Sequence, residues 1–103
     1  MRKDKIFITG SDGFIGNHLV KFFKKNKFQV YGCDIKQKNQ NNNNFIKGDF
    51  SSDKVIKFIK SKNINHIIHL AALTEIKNDK NYSIRCNRIN YLQSKIFYQK
   101  IYK

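Results

Sequence analysis

The stretch ITGSDGFIGNHLV, residues 8–20, decides how the rest of this chain is read. Ile6, Phe7 and Ile8 lead into it. Such a short run of β-branched and aromatic types suits a strand buried on both faces. Gly10 ends the run, and Ile15, Leu19, Val20 and Phe23 then recur at helical spacing. The segment TGSDGFIG is therefore a strand-to-helix turn carrying three glycines.

The chemistry of such a turn is specific. Gly10 can take the backbone angles of a tight exit from a strand. Gly13 lacks a Cβ, so a phosphate can approach the main chain. Gly16 lets the helix lie close on the sheet. The helix start offers open N–H groups and the positive end of its dipole, where a pyrophosphate would sit. The spacing is G-x-x-G-x-x-G, a variant of the dinucleotide fingerprint. A glycine triplet that binds nothing is the plain alternative, so the second half of the fingerprint decides. It is present: KFQVYGCD, residues 27–34, reads as a second strand ending in Asp34. Asp34 follows Gly16 by the roughly twenty residues the fingerprint expects. A carboxylate there can accept from both ribose hydroxyls of an adenosine. It would repel a 2′-phosphate, which favours NAD over NADP, and Lys36 nearby softens that preference.

Further matches follow in order. FIKGDF (45–50) is a short strand ending in Gly48-Asp49, INHIIHLAAL (64–73) is another strand, and INYLQSKIFYQ (89–99) has helical character. With these residues in hand, the chain resembles the extended short-chain dehydrogenase/reductase family, the NAD-dependent epimerases and dehydratases of nucleotide sugars, from about Lys5 to its end. TGSDGFIGNHLV is similar to that family's TGxxGFIGxxLv, and HLAA to its fourth-strand motif. The resemblance implies that Phe14 and Ile15 give backbone N–H groups to the pyrophosphate and that Asp34 holds the ribose. It implies that Asp49 bonds the adenine amino group, with Phe50 lining the ring. Leu70, Ala71 and Ala72 would line the path to the nicotinamide, and Asn90 would fix its helix against the fourth strand. The family usually carries Gly-Thr three and four residues after that asparagine, where this chain has Gln93 and Ser94.

The same resemblance implies a Tyr-x-x-x-Lys pair on a helix after a fifth strand, with the lysine lowering the tyrosine pKa so that the tyrosine acts as acid/base. Tyr91 and Lys95 match the pattern literally, but they follow HLAA too closely for an intervening helix and strand. They are read as a Tyr and a Lys on the solvent side of a helix, and the catalytic residues stay unassigned. The 103 residues amount to one domain at most. The expectation is therefore an α/β fold: the first half of a Rossmann-like parallel sheet, about four strands in the order 3-2-1-4, truncated before the catalytic helix and the substrate domain. The fourth strand is expected to leave an open edge.

Composition narrows the partners. The net charge is +14, from 21 Lys and Arg against 7 acids, which raises nucleic-acid binding as an alternative. The lysines are spread over every element, and no RRM, KH, zinc-finger or helix-turn-helix pattern appears, so specific nucleic-acid recognition is not expected. The excess of Lys, Asn and Ile is what an AT-rich genome produces. Cys33 and Cys86 lack C-x-x-C or metal spacing, and Cys33 reads as a buried thiol in a reducing cytoplasm. His18, His66 and His69 lack metal-site spacing as well, and His69 reads as a packed residue. No metal, no membrane span and no signal peptide are expected.

Along the chain, residues 5–26 form the first strand–helix unit, with Asn26 or Lys27 ending the helix. Residues 36–44 are a polar loop. Residues 51–63 form a helix capped by Ser51 or Ser52, with Val55, Ile56 and Ile59 inward and Lys54, Lys57 and Lys60 outward. Residues 73–82 form a loop, in which Thr74 and Glu75 are given no role. A last helix spans about 83–102, with Ile89, Leu92 and Ile96 on one side. The leading expectation is the NAD-binding part of a nucleotide-sugar epimerase or dehydratase, not competent by itself and open to a complementing C-terminal chain. A stand-alone NAD-binding or interaction module is the second expectation.

Overall fold

A computed structural model describes residues 4–36, 43–71 and 92–102. Four parallel strands carry the fold: β1 (Lys5–Thr9), β2 (Gln29–Asp34), β3 (Phe45–Lys47) and β4 (His66–His69). Their order is β3-β2-β1-β4, the order the sequence implies. The helices are α1 (Phe14–Lys25), α2 (Asp53–Ser61) and α3 (Ser94–Ile101). Among the described residues this is a Rossmann-like parallel half-sheet, with β1 and β2 at its centre.

Alternation along β1 explains why it lies at the centre. Phe7 faces one side and joins Tyr31, Cys33, Val55, Ile56, Ile59 and Phe97. Ile6 and Ile8 face the other side and pack with Val20 and Val30. Each face thus has its own apolar layer, with α1 on one side and α2 and α3 on the other. Only a strand apolar at every position can serve both layers.

Register then builds the site. Thr9 pairs with Cys33 of β2 and with His69 of β4, and Asp34 pairs with Lys47 of β3. The C-terminal ends of the strands are brought to one edge of the sheet, where open α/β sheets place their ligands. Both longer helices leave through a residue in the left-handed region, Lys27 (φ 67°) after α1 and Asn63 (φ 55°) after α2. Lys27 therefore belongs to the turn, and β2 begins at Gln29, two residues later than the sequence pattern suggested.

Two apolar faces differ from expectation. Ile15, placed on the buried side of α1 by periodicity, is 61% exposed, as is Phe14 at 82%. In the first turn of α1 the buried residue is Gly16, which rests against Gly10, and Ile15 beside it points away from that contact. On α3 the inward residue is Phe97, fully buried, whereas Leu92 and Ile96 are each 43% exposed. Ile96, Phe97, Tyr98, Ile101 and Tyr102 make that helix apolar nearly all round, so spacing alone names no unique face. Ile89 of the predicted face, and Ala72, Asn90, Tyr91 and Cys86 among the residues singled out from sequence, lie outside the described residues. Lys95 is on the exposed side of α3.

Candidate functional site

The glycine turn is held from beneath by one carbonyl. The Cys33 oxygen accepts from Gly10 N–H at 2.8 Å and Ser11 N–H at 3.1 Å, and the Ser11 hydroxyl adds a third bond at 3.3 Å. Gly10 has φ 72°, which only glycine adopts at no steric cost. A Cβ there would also stand 3.1 Å from the Ala71 nitrogen. Gly32 completes the fit. A Cβ on it would approach the Ser11 Cβ to 2.6 Å, so β2 must be bare where the turn crosses it.

The other two glycines of the motif have opposite reasons. A Cβ on Gly16 would fall 2.1 Å from the Gly10 carbonyl oxygen, a backbone atom that cannot swing aside. α1 therefore rests directly on the turn, and the chain itself demands that glycine. A Cβ on Gly13 would meet only the Gly10 oxygen, at an ordinary 3.4 Å. Its backbone (φ −76°, ψ 176°) is extended and open to any residue. Nothing within the described chain requires glycine at position 13.

Gly13 is also the residue before α1, and it gives the helix no side-chain cap. The first helical bond runs from Asn17 N–H to the Gly13 oxygen at 2.8 Å. The N–H groups of Phe14, Ile15 and Gly16 precede that bond and point out of the helix end. No acidic residue lies in the first turn, and Lys24 and Lys25 occupy the last. The positive end of the dipole is thus left to whatever approaches from outside.

Asp34 reaches the same place from the end of β2. One carboxylate oxygen accepts from Asp12 N–H at 3.1 Å, and the other from Lys36 N–H at 2.9 Å. It is therefore a strut fixing the glycine turn as well as a half-buried acceptor. Asp49, after β3, accepts through one oxygen from both the N–H and the hydroxyl of Ser51, each at 2.8 Å. The Phe50 ring is 5% exposed and is packed edge-on against His69 and Phe97, so its bulk is committed to the core.

At the end of β4 the chain builds a polar network that sequence reasoning gave no role. Thr9 is fully buried. Its hydroxyl oxygen lies 2.9 Å from Leu70 N and 3.1 Å from Ala71 N, and 2.5 Å from His69 Nδ1. His69 Nε2 lies 2.8 Å from the Ser94 hydroxyl of α3. A hydroxyl has two lone pairs and one proton. Two N–H donors occupy the lone pairs, so the Thr9 proton goes to Nδ1. His69 is then neutral and carries its proton on Nε2, donated to Ser94. Burial holds its pKa below the ordinary 6.5, in keeping with that state. A signal for Thr9 was available: a polar residue inside a run buried on both faces must find partners.

Cys33 is a buried, free thiol, and burial pushes its pKa up to about 12. It is a packing residue, not a nucleophile. Among the described residues no group of three or more His, Cys, Asp or Glu side chains could hold a metal ion. No described helix is long and apolar enough to cross a membrane.

The profile of the NAD dependent epimerase/dehydratase family matches residues 6–95. The chain belongs to that family. An uncharacterized protein of Methanocaldococcus jannaschii is 36% identical over 95 residues, covering 75% of this chain and 29% of that protein. A dTDP-D-glucose 4,6-dehydratase of Dictyostelium discoideum is 35% identical over 105 residues, covering 85% of this chain and 24% of the enzyme. Among solved structures, MoeE5 in complex with UDP-glucose and NAD superposes with a TM-score of 0.78 at 27% identity, over 93% of this chain and 31% of MoeE5. This family member thus spans 24–31% of the length of these three relatives.

Proposed function

We propose that the strand ends and the glycine turn bind NAD, and that this chain is the cofactor-binding part of a nucleotide-sugar epimerase or dehydratase. Gly13 carries the reading. Gly10, Gly16 and Gly32 are explained by close contacts inside the chain, whereas a Cβ on Gly13 would make only an ordinary contact with the Gly10 oxygen among the described residues. A glycine that the fold does not need, beside N–H groups that the helix does not use, is explained by a ligand backbone passing close by. NAD in the MoeE5 complex and the family's dependence on NAD support the identity of that ligand.

In this reading Gly10 shapes the turn, and Gly16 seats α1 on it. Phe14 and Ile15 donate backbone N–H groups to the pyrophosphate. Asp34 accepts from the adenosine ribose while keeping its grip on Asp12. Asp49 and the Phe50 backbone border the adenine, since the Phe50 ring is spent on the core. Leu70 and Ala71 line the approach to the nicotinamide; Ala72, which would extend that lining, and Asn90, which would fix its helix against β4, lie outside the described residues. When bound, NAD would supply the hydride acceptor and donor. The described residues orient it and exclude water from its phosphates, and no catalytic acid or base is assigned to them. A polypeptide of these 103 residues is expected to bind NAD without turning over a nucleotide sugar. Residues 1–103 form one cofactor-binding unit, and the sugar belongs to a further part of a complete enzyme.

Calorimetric titration with NAD tests the reading. Saturable binding is expected, with Gly13→Val weakening it by at least about 100-fold, close to 3 kcal/mol at 1.4 kcal/mol per decade. Circular dichroism of that variant should match the parent. No saturable binding, or binding indifferent to Gly13→Val in a folded variant, would overturn it.

A further inference from the structure

Of the polar groups near the proposed site, His69 is the one that joins three elements. Thr9 of β1 donates to its Nδ1, and Ser94 of α3 takes the proton of its Nε2. Its ring stacks on Phe97 at 5.2 Å and 25°. Phe50 meets it edge-on at 4.6 Å, and Tyr98 at 5.8 Å. The same Thr9 hydroxyl fixes Leu70 and Ala71 N–H, and the Ala71 backbone abuts Gly10. The end of β4, the glycine turn and α3 are therefore set against one another through a single imidazole in one tautomer.

We propose that neutral His69 is a positioning residue for the NAD site, and that its protonation loosens the end of β4 from the Thr9 hydroxyl and weakens dinucleotide binding. The proposal rests on the NAD reading above. A second proton on the ring would occupy Nδ1 and turn it from acceptor to donor. The Thr9 hydroxyl would then face three donors with two lone pairs, and its own proton would lose its acceptor. Leu70 N–H also has the Thr9 carbonyl oxygen at 3.2 Å, so the bonds that must give way are those to Ala71 N–H or His69. Among the described residues, the neighbours of the ring offer the new charge no anion. Thr9 is its contact on β1. After β3 it meets Phe50, whose neighbour Asp49 is engaged by Ser51. On α3 it meets Ser94, Phe97 and the titratable Tyr98, with Lys95 and Lys100 the charged residues of that helix. Lys100 is paired with Asp53. Among the described residues none makes an ion pair with His69. Burial of the ring depresses its pKa below 6.5.

The sign follows from linkage. A histidine whose folded pKa is depressed adds stability that is complete above 6.5 and is lost as pH falls through the folded value. NAD binding, which needs the neutral arrangement, should lower that pKa further and should itself weaken over the same interval.

The test is an NAD titration at pH 8.0, 7.0, 6.0 and 5.0, with the His69 ring proton followed by NMR with and without NAD. The parent chain should lose about tenfold in affinity across the acidic half of the series, with the His69 titration displaced to lower pH by NAD. His69→Asn keeps an acceptor for Thr9 and cannot titrate. It should bind several-fold more weakly at pH 8.0 and lose little more on acidification. His18, near the start of α1, and His66 remain in that variant and supply the background. A structural role alone would weaken binding without removing the pH slope. Binding at pH 8.0 with the same slope in His69→Asn, or a His69 titration indifferent to NAD, would overturn this proposal alone. Absence of saturable binding at pH 8.0 would overturn the NAD reading and this proposal with it.

Discussion

The two helices that follow strands near the site begin in opposite ways. α2 closes its own end: Ser52 turns its hydroxyl to Val55 N–H at 3.4 Å, and Asp53 places a carboxylate in the first turn. α1 starts at a glycine, with no side-chain cap and no acid in its first turn. A glycine at the cap position costs a few tenths of a kcal/mol relative to serine. One chain, built on one sheet, accepts that cost at α1 and avoids it at α2. A helix start kept open at the C-terminal edge of a parallel sheet is kept for a ligand, and a closed one serves only the fold.

The largest effect should separate fold from function within α1 itself. Gly16→Ala puts a methyl 2.1 Å from the Gly10 oxygen, so the helix must lift off the turn. The expected loss is about 3 kcal/mol or more, the upper end of overpacking. A small α/β unit has little stability to spare, and thermal melts should show the variant largely unfolded or melting many degrees lower. Gly13→Ala, three residues earlier, should change the melting temperature little. Equal losses for the two variants would break the comparison, because both glycines would then serve packing.

Much of this arrangement is legible in the sequence, and the limits are physical. The four strands and their order follow from apolar runs, glycine punctuation and the handedness of crossovers. Ser52 and the Val55, Ile56, Ile59 face follow from capping chemistry and helical spacing. The Gly13/Gly16 contrast does not, because both read simply as glycine until the distance to Gly10 is known. Asp34 shows the same limit. Its place after a strand suggests a ribose acceptor, and its bond to Asp12 N–H appears only when the turn is folded over it. The burial of Thr9, His69 and Phe97 depends on β1, β4 and α3 meeting, residues some 60 and 25 positions apart in the chain. Helical periodicity cannot choose a face for α3 when Ile96, Phe97, Tyr98 and Ile101 are spread over more than half of its circumference.

The next effect down tests the closed end. Ser52→Ala removes the hydroxyl that Val55 N–H uses and that itself donates to the Asp49 oxygen at 2.8 Å. The expected cost is about 1 kcal/mol, typical of a lost cap, read from urea unfolding. NAD affinity should change less than twofold, because α2 contributes its start to the fold alone. A large loss of affinity with little loss of stability would mean that the segment around Asp49 depends on that cap to hold the adenine.

The smallest effect is the most discriminating, since it gives α1 what α2 already has. Gly13→Ser would place a hydroxyl at the capping position, where the extended backbone (φ −76°, ψ 176°) is the one a cap requires. The new Cβ meets only the ordinary 3.4 Å contact with the Gly10 oxygen. Serine exceeds glycine as a cap by only a few tenths of a kcal/mol, so the variant should be slightly more stable than the parent. The hydroxyl would then occupy an N–H group assigned here to the pyrophosphate, and its Cβ would fill the space through which the phosphates approach. Stability and NAD affinity should therefore move in opposite directions in this one substitution. If both rise, or if affinity is untouched, the open end of α1 is not where the cofactor binds, and the missing cap is an accident of sequence. If they part as expected, the glycine at position 13 is a position where the chain gives up stability to keep a binding site.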